Sequence, residues 1–227
     1  MKAAFTLIEL LVVIVVIAVL TAISLPVVAN TRVVSNRTAC AANMRQMGAA
    51  LLLYANDNNG RFPESTHTAD DEKHAWIYTL APYLGDLDKV RICPADPVGP
   101  ERLANKGTSY VLNEYIVVPA TDRFGRVTGS HCNIRSLTRP ASTLVAFIAA
   151  DGTNSDHTHS RNWHKNWQAV CRDIAPDRHR VGAPNSQRTN GSANYLYADG
   201  HVANIEAAAF RDMFGDDGVG NPARPPE

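Results

Sequence analysis

Phe5-Thr6-Leu7-Ile8-Glu9-Leu10-Leu11-Val12-Val13-Ile14-Val15-Val16-Ile17-Ala18-Val19-Leu20 decides how the rest of the chain is read. The run stays apolar to Pro26 and Ala29, and Glu9 near its start is its one charged residue. Leu10 to Ala29 is 20 residues, about the number that crosses a hydrocarbon core of roughly 30 Å at 1.5 Å per residue. Thr21 and Ser24 are compatible with this, because helical hydroxyls bond back to the preceding turn. Pro26 predicts a bend. A charge inside a spanning helix costs roughly 2.5–3.5 kcal/mol on insertion scales, so Glu9 marks a function with a definite partner.

Three readings of this segment stand side by side. A secretory signal would use Lys2 as its basic region and Val27-Val28-Ala29 as a cleavage site, but such signals have an apolar core of about 7–15 residues and no acid. A plain membrane anchor is the second. The third is a resemblance: Phe5-Thr6-Leu7-Ile8-Glu9 followed by a hydrophobic helix is similar to the cleavage and methylation segment of type IV pilins and type II secretion pseudopilins.

That resemblance implies a leader, residues 1–4, removed on the cytoplasmic side by a dedicated aspartic peptidase between Ala4 and Phe5, followed by N-methylation of Phe5. The family usually has glycine before the cut, where this chain has Ala4. It also implies a function for Glu9, since cleavage creates a positive amine at Phe5 and a carboxylate on a neighbouring subunit is its natural partner. Opposite unit charges at about 4 Å attract by roughly 4 kcal/mol at an effective dielectric of 20, before desolvation. The implied partners are identical or related pilin subunits, the prepilin peptidase and methylase, an assembly platform protein of the inner membrane, and the membrane itself. The implied location is the bacterial inner membrane as a single-pass subunit with its C-terminal domain outside the cytoplasm, then a periplasmic or surface filament.

The composition suits one exported domain on a stalk. Of 227 residues, 45% are hydrophobic and 19% charged, with zero formal net charge, which argues against disorder and against nucleic acid as a ligand. Residues 5–29 form the membrane or assembly half of a long helix and 30–57 its soluble half. In that second half Cys40, Met44, Met47, Leu51 and Tyr54 make an apolar stripe, while Arg37, Asn43, Arg45 and Gln46 are assigned to other faces. Asn56-Asp57-Asn58-Asn59-Gly60, then Pro63, stops the helix, giving a rod of about 75 Å.

Residues 58–215 are expected to be a globular α+β domain, pilin-like, with the helix packed on a small antiparallel sheet. Trp76, Ile77, Leu80 and Leu84 predict a short helix limited by Pro82; Tyr110-Val111-Leu112, Tyr115-Ile116-Val117-Val118 and Thr143-Leu144-Val145-Ala146-Phe147-Ile148 predict strands. Asp199-Gly200 between Asn194–Ala198 and His201–Ile205 predicts a hairpin with a two-residue turn, both central residues at positive φ. Residues 216–227 read as a flexible tail.

Gly191-Ser192-Ala193-Asn194-Tyr195-Leu196-Tyr197-Ala198-Asp199-Gly200-His201-Val202 resembles the closing motif of large pilin-like families abundant in planctomycetes, named for a histidine nine residues before the Asp-Gly. Thr189 occupies that spacing here, and His179 is the nearest histidine. Asn43–Gly48, Tyr54–Pro63, Cys93-Pro94-Ala95-Asp96 and Ser109–Asn113 fit the same families in order.

Asp151, Asp156, His157, His159 and His164 are the candidate metal ligands, because imidazole and carboxylate bind metals and His157-Thr158-His159 presents two rings from an extended segment. No histidine pair has the spacing of a zinc protease helix, and no nucleophile elbow or phosphate loop occurs. The segment from Asp151 to Gly200, with six Arg or Lys, five Asp and four His, therefore reads as a solvated loop, and the chain as no enzyme and without a cofactor. Asp216-Asp217 is a candidate for calcium but lacks the alternating acids of a calcium loop. Cys40, Cys93, Cys132 and Cys171 permit two bridges in an oxidising compartment; Cys40 with Cys93 and Cys132 with Cys171 is the expected pairing. Two functions follow: a filament subunit, or a membrane-anchored binding module for polysaccharide or metal, whose Trp163 and Trp167 would stack on sugars.

Overall fold

A computed structural model describes residues 6–65, 76–215 and 220–227. Helix α1 spans Leu7–Asp57, 51 residues without interruption at position 26, and is about 75 Å long. The Thr21 hydroxyl donates to the Ile17 carbonyl, and the Ser24, Thr31 and Thr38 hydroxyls to those of Leu20, Val27 and Val34 at 2.7–2.9 Å. Each of these four hydroxyls is thus satisfied within the helix. The helix stops where Asn59 and Gly60 turn to positive φ, 56° and 83°, and the Gly60 amide returns to the Ala55 carbonyl at 2.7 Å.

The second half of α1 lies on a four-stranded antiparallel sheet ordered β1(Tyr110–Leu112), β4(Leu144–Ile148), β5(Ser192–Tyr197), β6(Val202–Glu206). A small ribbon of β2(Ala120–Thr121) and β3(Val127–Gly129) stands apart. Alternation along β5 sorts its two faces. Asn194 and Leu196 meet α1, through the Asn194 amide on the Arg37 carbonyl at 2.8 Å and the Leu196 methyl against Gly48. Tyr195, between them, points the other way and stacks on Phe210 of the helix Ala207–Asp212 at 4.5 Å. Both faces are covered, which is why β4 and nearly all of β5 are buried. Cys40, Met44, Met47 and Leu51 are all buried, as the stripe requires.

Four local expectations are corrected. Asn43 belongs to the buried face, donating to the carbonyls of Lys89 and Ile92 at 3.3 and 3.1 Å; it sits three residues after Cys40 and so shares the stripe. Tyr115–Val118 is not a strand: a short helix, Glu114–Val117, forms there because the Asn113 side chain caps it, accepting from the Tyr115 amide at 3.2 Å. The hairpin is present, but its loop has three residues. Tyr197 accepts from the Gly200 amide and donates to the His201 carbonyl, and only Gly200 takes positive φ, 89°, the pattern of a type I turn closed by a glycine bulge. Residues 220–227 are not a free tail, since Asn113 donates to the Ala223 carbonyl at 2.6 Å, Asn221 to that of Ser160 at 2.7 Å and Thr138 to that of Pro226 at 2.7 Å.

Gly48 is where helix and hairpin touch. A Cβ there would lie 2.8 Å from Leu196 Cδ1 and 3.2 Å from the backbone of Gly200. Gly48→Val is expected to destabilise the domain by about 1–3 kcal/mol through overpacking, read as a lower thermal midpoint. Gly85→Ala, where nothing stands within 4 Å, should leave the midpoint near that of the parent.

Candidate functional site

The N-terminal half of α1 has no cover. Sixteen large aliphatic side chains from Leu7 to Val28 are 47–79% exposed, and the first buried residue of the helix is Cys40. The helix is apolar and long enough to cross a membrane by length and composition. Glu9 stands at its tip. There the sequence holds a feature that the apolar run conceals, Thr6-x-x-Glu9, a capping box. Thr6 Oγ1 accepts from the Glu9 amide at 3.3 Å, and Glu9 Oε2 accepts from the Thr6 amide and hydroxyl, both at 2.8 Å. The carboxylate is therefore held in place by its own chain and lies at the positive end of the helix dipole, which favours its charged form. Cutting between Ala4 and Phe5 leaves the Thr6 amide intact, so the cap survives processing. Ala4 and Phe5 themselves lie outside the described residues, as do Asp216 and Asp217.

Of the histidine and aspartate candidates, Asp156, His157 and His159 are neighbours, with the two rings 5.5 Å apart, while Asp151 and His164 have partners elsewhere. Asp151 pairs with Arg178 at 2.6 Å; His157 Nδ1 is 2.8 Å from Asp156 Oδ1; His159 Nδ1 is 3.5 Å from Asp173; His164 Nδ1 bonds the Arg161 carbonyl at 2.8 Å. Trp163 is buried, with its indole N–H on Asp173 at 2.7 Å and its ring 5.2 Å from Phe147. Trp167 packs against Phe210 and Phe214 and donates to the Gln187 carbonyl at 2.6 Å. Trp163 is a core residue and Trp167, half-buried, packs against the core, so the two do not stand together as an exposed aromatic pair. In the hairpin, His201 lies flat on Tyr197 at 4.2 Å with Nδ1 on Asp199 at 2.6 Å, so Asp199 and His201 brace the turn.

A buried ionic group lies beyond the reach of sequence reading. Asp96, of the Cys93–Asp96 motif, is enclosed by Arg102 Nε at 3.0 Å, Ser109 Oγ at 2.6 Å and Arg178 at 4.0 Å. Asp177 is gripped by Arg188, with bonds of 2.6–2.9 Å, and by Arg180 at 3.3 Å. These pairs knit the loops at 91–109 and 149–192 together.

All four cysteines are free thiols, so neither expected bridge is formed. Cys40 and Cys93 are nevertheless neighbours, with His179 beside them. Burial pushes the Cys40 thiol up, but hydrogen bonds with Cys93, His179 and Asn194 and the charge of His179 bring it well below a free thiol. Bonding to Cys40 and burial push Cys93 upward. Cys132 and Cys171 occupy different surroundings, the first near Ser130 and Arg161, the second near Arg188 and Asp177.

Residues 1–25 match the model of the prokaryotic N-terminal methylation motif. No curated protein and no solved structure matches the chain. Residues 1–25 thus carry a prepilin-type methylation motif, on a helix apolar and long enough to cross a membrane, joined to a domain of pilin-like α+β architecture.

Burial raises the Cys171 thiol to about 11. Alkylation proceeds through the thiolate, so at pH 8.5 Cys171 should react far more slowly than a model thiol with its ordinary value near 8.5. Its rate should rise steeply as pH approaches 11, which peptide mapping of alkylated protein across that range will show.

Proposed function

We propose that this chain is a structural subunit of a type IV pilus-like or type II secretion pseudopilus filament, held in the inner membrane by α1 before assembly. The observation that carries the reading is the continuity of the methylation motif with a helix whose first half is uncovered and whose second half is the spine of a folded domain. A lone anchor needs only apolar length. It does not need an acid at the fifth position after the cut, nor a cap that holds the acid in register.

In this reading Glu9 has two partners in succession. Before assembly Thr6 satisfies its Oε2. On assembly the carboxylate also receives the Phe5 amine of an adjacent subunit, and the stagger between subunits is set by the length from Phe5 to Glu9, about one helical turn. The subunit acts by assembling, and no catalytic step is assigned to it. The affinity with the families that carry a histidine before Asp-Gly is part of the same proposal. It is supported by the contact of Gly48 in the helix motif with Leu196 and Gly200 in the hairpin motif, and by His179, whose Nε2 lies 3.5 Å from the Asn194 amide.

Mass spectrometry of the mature chain should find an N-terminus at Phe5 carrying one methyl group; an N-terminus at Asn30 or Met1 would contradict the reading. Glu9→Ala should leave the chain in the membrane and cut, but abolish sheared filaments. Glu9→Gln keeps an amide able to accept from Thr6 yet loses the charge, so it should resemble Glu9→Ala if the intersubunit ion pair matters, and the parent if only the cap does.

A further inference from the structure

We propose that Cys40, Cys93 and His179 form a buried metal site that takes a divalent thiophilic ion, zinc by its charge and softness, and that this ion clasps the long helix to the domain. The two sulfurs and one ring nitrogen of His179 all lie within 4.8 Å of one another. The residues are 0%, 1% and 4% exposed. They come from three separate parts of the chain: mid-α1, the turn before the short helix Gly99–Ala104, and an extended stretch at 179 that bonds β5 through Ser192 in both directions at 2.8 and 3.2 Å.

The donor set suits the ion. Thiolates and imidazole bind zinc at about 2.3 and 2.0–2.1 Å in a tetrahedron, which places the two sulfurs and the nitrogen roughly 3.6–3.8 Å apart, inside the 4.8 Å that bounds the observed group. Three protein donors leave one position for a non-protein ligand. Loss of two thiol protons on binding gives two thiolates, a neutral imidazole and a divalent ion, a set with no net charge. A monovalent ion would leave one buried negative charge, and the buried cation whose charge reaches Cys93, Arg178, is already matched by Asp151. No electron moves in this step, so no oxidant is called for.

Two further observations favour a ligand over a plain thiol pair. His179 Nδ1 is buried without a hydrogen-bond partner among the described residues, whereas buried ring nitrogens are ordinarily satisfied. The Tyr110 hydroxyl donates to Cys40 Sγ at 3.6 Å, and the Asn194 side chain, fixed by its bond to the Arg37 carbonyl, lies alongside. Such outer donors orient a metal-bound thiolate. A disulfide would account for the two sulfurs and leave His179 unexplained.

The full chain, purified in detergent from membranes without chelator or added metal, tests this by elemental analysis alongside intact mass, followed by replacement with cobalt(II). One zinc per chain, with a thiolate-to-cobalt charge-transfer band after exchange, is expected. Cys40→Ser and His179→Ala should each lose the band. Titrating cobalt into the metal-stripped parent keeps the test independent of how the variants fold. A Cys40–Cys93 disulfide in the freshly isolated chain would overturn the site, as would a reduced parent chain that takes up neither ion, or zinc that persists when both cysteines are replaced.

Discussion

The uncovered first half of α1 is the constraint on which the rest of the molecule depends. Burying a Val, Leu or Ile side chain is worth about 1.5–3 kcal/mol. Sixteen such side chains largely exposed between Leu7 and Val28 thus represent an exposure penalty on the order of tens of kcal/mol in water. The folded domain has a net stability of only about 5–15 kcal/mol to set against it. That half of the helix must therefore lie in lipid or against other apolar helices. The other half, from Cys40 onward, is held by the domain's own sheet, so one continuous helix serves two environments. The domain is built on it: Gly48 admits the hairpin, Asn194 ties β5 to the Arg37 carbonyl, and Asn43 fastens the loop at 89–92.

Against that apolar surface, Glu9 would be costly if it had no partner. The Thr6 cap lowers the cost in the single subunit without removing the charge, and leaves the carboxylate at a fixed height at the tip of a rigid rod. Position matters because a rod of about 75 Å transmits a one-residue slip at its tip directly to the domain at its far end. The three segments that meet at Cys40, Cys93 and His179 fix that far end.

The long helix, its buried stripe, the strand at 144–148 and the hairpin around Asp199-Gly200 were legible in the sequence, because each rests on local periodicity or turn chemistry. The Thr6-Glu9 cap was legible too, but hidden by the length of the apolar run around it. Tyr115–Val118 misled because its side chains favour strands, while the deciding residue, the Asn113 cap, lies outside the run. Trp163 and Trp167 suggest a sugar-stacking surface because polar residues surround them in sequence; in space they pack on Phe147, Phe210 and Phe214. The pairing of Arg178 with Asp151 and Asp96 and the meeting of His179 with Cys40 join residues 27, 82 and 139 positions apart, and no local rule reports such contacts.

The direct test of the account is zero-length carbodiimide cross-linking of filaments assembled from an equal mixture of nitrogen-14 and nitrogen-15 chains, followed by peptide mass spectrometry. The account predicts a peptide joining the Glu9 carboxylate to the Phe5 amine with half of its population isotopically mixed, so that the link runs between subunits. Links confined to same-isotope pairs, or filaments in which Glu9 never joins Phe5, would contradict it.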